Sequence, residues 1–122
     1  MIKEGDVIIT PIPQVDGRIK NRPAIILREL PLYRDYLVCG VSTQLHQYFK
    51  DFDEIISPTD ADFISSSVIT KSVIRLGFLA LLPRSSIAGS IGEISPKRHK
   101  RLLKTLSDYL LGKKKRGKET KS

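Results

Sequence analysis

Short apolar, β-branched segments dominate the first three quarters of the chain. They have the length of β-strands and are bounded by proline, glycine, aspartate and serine; they lie at residues 7–10, 24–27, 36–42, 67–70 and 73–82. None of these segments shows the apolar spacing of a helix. The pattern predicts that the first 94 residues form mainly β-structure, and a chain of 122 residues is long enough for one hydrophobic core.

The end of the sequence is typical of a single helix. Ser95-Pro96 supplies an N-cap followed by proline at the first helical position, and Gly112 marks a stop. Between them, side chains recur at i, i+3 and i+4 spacing: His99, Leu102, Leu103, Leu106, Tyr109 and Leu110. We expect an amphipathic helix that covers one side of the sheet. Residues 1–112 are therefore predicted to form one domain, and residues 113–122 a disordered basic tail.

The net charge of +8 is concentrated at the C-terminal end. Residues 112–122 carry +5 of it, and the remaining mildly basic domain suits a phosphate-bearing partner without specifying one. The single cysteine, Cys39, lies in an apolar run and is expected to be buried and reduced. The N-terminus lacks a secretion-signal pattern, and no apolar run approaches the roughly 20 residues that span a bilayer. These features predict a cytoplasmic protein that binds no membrane.

Several kinds of active site lack the residues they require. The histidines and the cysteine, at positions 39, 46 and 99, do not have the spacing of a zinc site. Carboxylates at residues 51–54 and 60–62 offer oxygen ligands for a hard cation, but solvated loop carboxylates are the favoured interpretation. Glycine-rich phosphate loops, the GxSxG motif and an aromatic-rich RNA platform are absent. The sequence therefore predicts no metal and no cofactor.

Three motifs near strand ends remain as candidates for a functional site. Lys20-Asn21-Arg22-Pro23-Ala24 enters one apolar strand, Val41-Ser42-Thr43-Gln44 leaves another, and Ser72-Val73-Ile74-Arg75 lies near a third. Residues 11–21 contain prolines, an Asp16-Gly17 turn and basic side chains, so they are predicted to form a long irregular loop. Loops of this length in small domains are often functional.

In order and spacing, these motifs resemble the MazF/PemK family of toxin endoribonucleases. The resemblance includes Gly5-Asp6-Val7 near the start and Ile91-Gly92-Glu93-Ile94-Ser95 before the helix, and it covers roughly residues 5–111. It implies an SH3-like β-barrel with a C-terminal amphipathic helix, assembled as a homodimer. It also implies cleavage of single-stranded RNA and inhibition by a cognate antitoxin. The ribose 2′-hydroxyl would attack the adjacent phosphorus without a metal, leaving a 2′,3′-cyclic phosphate and a 5′-hydroxyl.

The resemblance assigns roles to individual residues. Arg22 matches the arginine of the family's Arg-Pro pair, and its guanidinium suits two phosphate oxygens. Ser42 stands where threonine is common, with Thr43 beside it, so that a hydroxyl is available to the scissile phosphate. Arg75 matches a second basic residue of the PemK-like branch and is assigned electrostatic stabilisation, because arginine is a poor proton donor at neutral pH. RNA-binding roles are expected for Asp16, Arg18, Lys20 and Gln44.

One position departs from the family pattern. Gly77 stands where some PemK-like members carry an aspartate, two residues after the second arginine, that acts in proton transfer. The remaining candidates for a base are Asp16 and His46, since histidine is the side chain most often used as a general base. The alternative is a slow or inactive copy that binds RNA or an antitoxin without cutting. A gyrase-directed poison, the activity of a related barrel family, ranks last because the C-terminal end does not resemble that family's determinants.

Overall fold

The strands expected from the apolar segments are largely present in the structure, a computed structural model that describes residues 2–13, 15–31 and 33–113. The strands are β1 (Asp6–Pro13), β2 (Ile19–Glu29), β3 (Tyr36–Ser42), β4 (Glu54–Ile56), β5 (Ser72–Leu82) and β6 (Ser90–Glu93). The helices are α1 (Phe63–Ser66) and α2 (Pro96–Leu110), and short 3₁₀ turns lie at Leu45–Gln47 and Arg84–Ser86. The prediction of a mainly β fold with a C-terminal helix is confirmed.

The strands form one curled antiparallel sheet in the order β4-β5-β3-β2-β1-β6. Because side chains alternate between the two faces of a strand, neighbouring residues contribute to two apolar clusters. The cluster beneath α2 contains Val7, Ile25, Leu27, Cys39, Val41, Ile56, Ile74, Leu76, Ile94, Leu102 and Leu106. The cluster on the other face contains Ile8, Ala24, Ile26, Tyr36, Val38 and Ile87. The predicted burial of Cys39 is confirmed, and the centre of the sheet is covered on both sides.

α2 begins and ends where the sequence predicts. The Ser95 hydroxyl oxygen accepts a hydrogen bond from the Arg98 N–H at 3.0 Å, and Pro96 is the first helical residue. Gly112 follows the helix at φ +78°, a left-handed conformation that glycine adopts without steric cost. Capping at both ends satisfies backbone groups that the helix itself leaves without partners.

The apolar side of α2 is buried along only part of its length. Leu102 and Leu106 are buried against the sheet, whereas Tyr109 and Leu110 are 65% and 71% exposed. The last turn therefore presents apolar side chains to solvent. Residues 114–122 of the predicted tail lie outside the described residues. In the part of the chain that is described, no helix is long and apolar enough to cross a membrane.

The prediction of an irregular loop at residues 11–21 is wrong. β1 continues to Pro13, β2 begins at Ile19, and the antiparallel pairing extends to the Pro13–Ile19 pair. β6 pairs with β1 only from Asp6 to Ile8, so β1 is an edge strand beyond that point. Proline is tolerated at an edge, where no further strand requires its missing N–H. We call residues 11–21 the hairpin arm.

The strand predicted at residues 67–70 is also wrong. Ser67 ends α1 in a left-handed conformation, with φ +64°, and an irregular segment follows. α1 lies against β6, where the Ser65 hydroxyl donates to the Glu93 carbonyl at 3.0 Å and the Ser67 hydroxyl donates to the Ile91 carbonyl. These hydrogen bonds satisfy carbonyls of an edge strand, so tertiary contacts override the local β-propensity of the segment.

The interpretation of the acidic residues as solvated loop carboxylates is wrong for Asp53 and Asp62, which are buried. The buried Arg98 of α2 donates from Nε to Asp62 Oδ2 at 2.8 Å, and from its Nη atoms to Glu54 Oε1 and Asp60 Oδ2 at 2.9 Å. We call Arg98 and these three carboxylates the Arg98 cluster. Among the described residues, no group of three or more ligand-type side chains is arranged to hold a metal ion.

Candidate active site

The strand register brings Arg22 and Ser42 to the same end of the sheet. Ala24 of β2 pairs with Gly40 of β3, and Arg22 and Ser42 each lie two residues beyond that pair. Because residues two apart share a face, both side chains belong to one face of neighbouring strands. Both residues are half-buried. This placement is compatible with a phosphate site shared by the two side chains.

Arg75 belongs to the same face. It pairs with Gly40 from the other side of β3, and it is half-buried. The order β5-β3-β2 therefore places Arg75, Ser42 and Arg22 on three adjacent strands. We call these three residues the arginine face. Two guanidinium groups and a hydroxyl form a suitable set of donors for a phosphodiester, since guanidinium forks match pairs of phosphate oxygens.

An aromatic ring lies beside Arg75 and was not anticipated from the sequence. The guanidinium carbon of Arg75 lies 5.5 Å from the centroid of the Phe78 ring, within the range of a cation–π interaction. The ring lies over Gly40, where an added Cβ would come within 2.6 Å of Phe78 Cδ2. A glycine inside an apolar strand often marks such a close approach, and Gly40 is the sequence signal that could have revealed it.

The hydroxyl group of Ser42 has a defined role at the end of β3. Its oxygen accepts a hydrogen bond from the Gln44 N–H at 3.0 Å, which leaves the hydroxyl proton available for donation. Thr43 and Gln44 follow the strand and are exposed. His46 is exposed in the 3₁₀ turn Leu45–Gln47, so it lies just past the strand end that carries Ser42.

The remaining predicted residues lie on the hairpin arm, away from the centre of the sheet. Asp16, Arg18 and Lys20 are all exposed. Asp16 accepts hydrogen bonds from the backbone N–H and the side chain of Arg18, at 2.9 to 3.0 Å, and these bonds hold the pKa of Asp16 below its usual range. A carboxylate held ionised in this way is a weak proton acceptor, so His46 is the better candidate for a base.

The sequence as a whole matches a family model described as the PemK-like, MazF-like toxin of type II toxin–antitoxin systems, over residues 3–110. The chain belongs to this family. No curated protein sequence matches it significantly. The resemblance seen in the short motifs is thus confirmed by a match that covers most of the chain.

Two solved structures share the fold of this chain. The Mycobacterium tuberculosis toxin MazF-mt6 aligns with a TM-score of 0.63 at 17% sequence identity, over 89% of this chain and 98% of that one. An endoribonuclease in complex with its cognate antitoxin, from Mycobacterial species, aligns with a TM-score of 0.62 at 15% identity, over 92% and 96%. The predicted MazF/PemK-type fold is confirmed.

A groove of about 540 Å³ in this MazF-like toxin is lined by Arg75 of the arginine face and by Leu76 and Leu106 of the cluster beneath α2. It lies between β5, the segment after the Leu45–Gln47 turn and the end of α2. The lining residues are Gln47, Phe49, Phe52, Asp53, Arg75, Leu76, Gly77, Leu79, Leu106, Tyr109 and Leu110. Its described walls are mainly apolar, and Asp53 is the one carboxylate among them. An added Cβ at Gly77 would lie 3.6 Å from Phe52 Cε2, so a side chain at this position would meet Phe52.

Proposed function

We propose that this MazF-like toxin is a metal-independent endoribonuclease that cleaves single-stranded RNA. The observation that supports the proposal is the arginine face, which places Arg22, Ser42 and Arg75 on one face of three adjacent strands. The 2′-hydroxyl oxygen of a ribose would form a bond to the adjacent phosphorus while the bond from phosphorus to the 5′-oxygen breaks. The products are a 2′,3′-cyclic phosphate and a 5′-hydroxyl.

Each group on the arginine face has a part in this reaction. Arg22 would bind two non-bridging phosphate oxygens, and the hydroxyl proton of Ser42 would donate to one of them. Arg75 would stabilise the negative charge that develops on the departing 5′-oxygen, which takes a proton from solvent water to give the 5′-hydroxyl. His46 is assigned the role of accepting the proton of the 2′-hydroxyl, because histidine is a common general base and His46 lies just beyond Ser42. Thr43 supplies a second hydroxyl at the same strand end.

The exposed polar residues around this face would hold the rest of the RNA strand. Arg18, Lys20 and Asp16 extend from the hairpin arm, and Gln44 follows Ser42. Basic side chains bind the phosphate backbone without reading sequence, whereas amide and carboxylate groups can read base edges. The RNA-binding roles of these four residues therefore divide into backbone contacts and base contacts.

The activity is tested with purified protein and mixed single-stranded RNA in the presence of EDTA. The parent protein should give discrete fragments with cyclic phosphate ends. Arg22→Ala should lower kcat/KM by about 100-fold or more, the usual effect of removing one donor to a developing charge. Arg28→Ala is the control, because Arg28 lies on the same strand, is exposed and pairs with Glu4. Equal cleavage by the parent and Arg22→Ala would refute the mechanism.

A second candidate function is RNA or antitoxin binding without cleavage. The observation that favours it is Gly77, which leaves the groove without the carboxylate of the PemK-like pattern. The same assay separates the two functions, because a binding protein would retain RNA on a filter and release no fragments. Cleavage that persists in EDTA and depends on Arg22 would exclude this candidate.

We also propose an antitoxin partner and a homodimer. One structural neighbour was solved with its cognate antitoxin, and an acidic, apolar antitoxin segment would complement the guanidinium groups of the arginine face and the apolar groove that Arg75 lines. Exposed apolar side chains gather on the end of α2 and on β5, with Leu81 54%, Tyr109 65%, Leu110 71% and Leu111 68% exposed. Large contiguous apolar patches on a protein surface mark sites of protein–protein interaction, and we propose that these side chains form such a patch.

The homodimer is tested by light scattering at micromolar protein, where we expect a mass twice the 13.7 kDa of one chain. Leu81→Asp should shift the protein towards monomer. A parent protein that is monomeric under these conditions would contradict the proposal. The cytoplasmic location stays a prediction from the sequence.

A further inference from the structure

β5 carries a bulge beside the arginine face. Cys39 and Gly40 are neighbours on β3, yet their partners on β5 are Leu79 and Arg75. Residues 76–78 therefore have no partner on β3. A bulge removes backbone N–H groups from the ladder, and a buried N–H must find an acceptor elsewhere. The conformation of this bulge decides where the flanking side chains point.

The buried carboxylate of Asp53 supplies the acceptor. Its Oδ1 accepts a hydrogen bond from the Leu76 N–H, and its Oδ2 accepts one from the Phe49 N–H, both at 3.0 Å. The Asp53 backbone N–H also donates to the Phe49 carbonyl at 2.9 Å. One carboxylate thus joins the first residue of the bulge to the segment that follows the 3₁₀ turn. Hydrogen bonds to a charged acceptor are stronger than those between neutral groups, so these bonds form a rigid connection between the bulge and the segment at Phe49.

Both ends of the bulge are connected to Arg75. Phe78 closes the bulge, lies over Gly40 and contacts the Arg75 guanidinium through its ring. Arg75 precedes the bulge directly, and Leu76 is its next residue. A change in the backbone at Leu76 would therefore move both the arginine and the ring that supports it.

We propose that Asp53 is a positioning residue that fixes Arg75 on the arginine face through the β5 bulge. The proposal rests on the proposed function, in which Arg75 stabilises the departing 5′-oxygen. Asp53 is assigned no role in proton transfer, because both of its carboxylate oxygens accept hydrogen bonds from backbone N–H groups. Its negative charge instead serves to hold the bulge in one conformation.

The first test follows the Arg75 side chain and does not depend on nuclease activity. In the parent protein, the Arg75 Nε–H proton resonance should be shifted by the ring current of Phe78, and Arg75→Lys identifies that resonance. Asp53→Asn keeps the size of the side chain but one of its two acceptors becomes a donor, so the resonance should move towards its position in an unfolded chain. Asp51→Asn, which removes an exposed charge two residues away, is the control. An Arg75 resonance unchanged in Asp53→Asn would overturn the proposal.

The second test is a double-mutant cycle on RNA cleavage. Asp53→Asn should lower kcat about 10- to 100-fold, the effect of misplacing a catalytic group by about 1 Å, with little change in KM. In the Arg75→Ala background the same substitution should change kcat less than about twofold, because its effect acts through Arg75. An equal fall in both backgrounds would show a general structural role and overturn the proposal.

The outcomes separate this proposal from the proposed function. If the parent protein cleaves no RNA, the nuclease fails and the Arg75 resonance alone decides whether Asp53 positions the arginine. If Asp53→Asn does not fold, hydrogen exchange in the parent protein replaces it. The Leu76 N–H should then exchange slowly although it lies outside the strand ladder, and rapid exchange would overturn the proposal.

Discussion

Replacing Arg98 by methionine removes the charge at the centre of the Arg98 cluster and keeps much of the side-chain volume. The Arg98 side chain is 7% exposed, and those of Asp62, Glu54 and Asp60 are 5%, 19% and 33% exposed. Removing one member of a buried ion pair costs about 3–5 kcal/mol. Glu54 and Asp60 retain solvent, and Asp62 keeps the hydrogen bond from the Ser95 N–H. We therefore expect a loss of about 3 kcal/mol in the free energy of unfolding.

Denaturation in urea, followed by circular dichroism, measures this loss. Arg101→Met is the matched control, because Arg101 bonds to Glu54 from the same helix but its side chain is 52% exposed. An exposed ion pair contributes at most about 1 kcal/mol. If Arg98→Met destabilises the protein no more than Arg101→Met does, the reasoning about burial is refuted.

The loss should also depend on pH. Hydrogen bonds from the Ser57 N–H and from Arg98 hold the pKa of Asp60 below its usual range. Burial alone would raise the pKa of Asp62, but hydrogen bonds from Arg98 and the Ser95 N–H lower it. A carboxyl group whose pKa is lowered by folding stabilises the protein at pH values above its unfolded pKa of about 4. This stabilisation disappears as the pH falls through the pKa of the group in the folded protein. The difference in the free energy of unfolding between the parent protein and Arg98→Met should therefore have its full value at pH 7 and be smaller at about pH 3.

Two other substitutions and one chemical modification test separate parts of the structure. Thr10→Val should raise the free energy of unfolding by about 1 kcal/mol, because the buried Thr10 hydroxyl has no hydrogen-bond partner in the described structure; a loss in the urea assay would contradict this. Gly40→Ala should displace Phe78 and destabilise the fold by about 1–3 kcal/mol, with a parallel loss of RNA cleavage; a neutral result would show that the ring does not need the glycine. Burial raises the pKa of the Cys39 thiol to about 12, so thiol reagents at pH 8 should modify it only in denaturant, and rapid modification of the folded protein would contradict its burial.

The features that local patterns specify could be predicted from the sequence. β3 and β5 are rich in apolar and β-branched residues, and α2 has both a serine-proline start and a glycine stop, so nearby residues set these boundaries. Arg22, Ser42 and Arg75 could be singled out because their motifs match a family. Their common face depends on strand register, which the sequence alone does not specify.

Features that depend on distant contacts could not be predicted. Arg98 is 36 residues from Asp62, and no local pattern distinguishes this buried pair from surface charges. The β5 bulge depends on Asp53, which is 23 residues from Leu76. The hairpin arm was missed for a different reason, since prolines usually interrupt strands and are tolerated here only because β6 stops short of them.

The most direct test of the account is a substrate with 2′-deoxyribose at the mapped cleavage position alone. The 2′-hydroxyl is the nucleophile in the proposed reaction, whereas Arg22 and Ser42 would bind the phosphate. We therefore expect the substituted RNA to bind with a Kd within about twofold of the parent substrate and to remain uncut, since only the reacting atom is missing. Cleavage of the deoxy-substituted strand at that position would contradict the account, because another nucleophile would then be attacking the phosphorus.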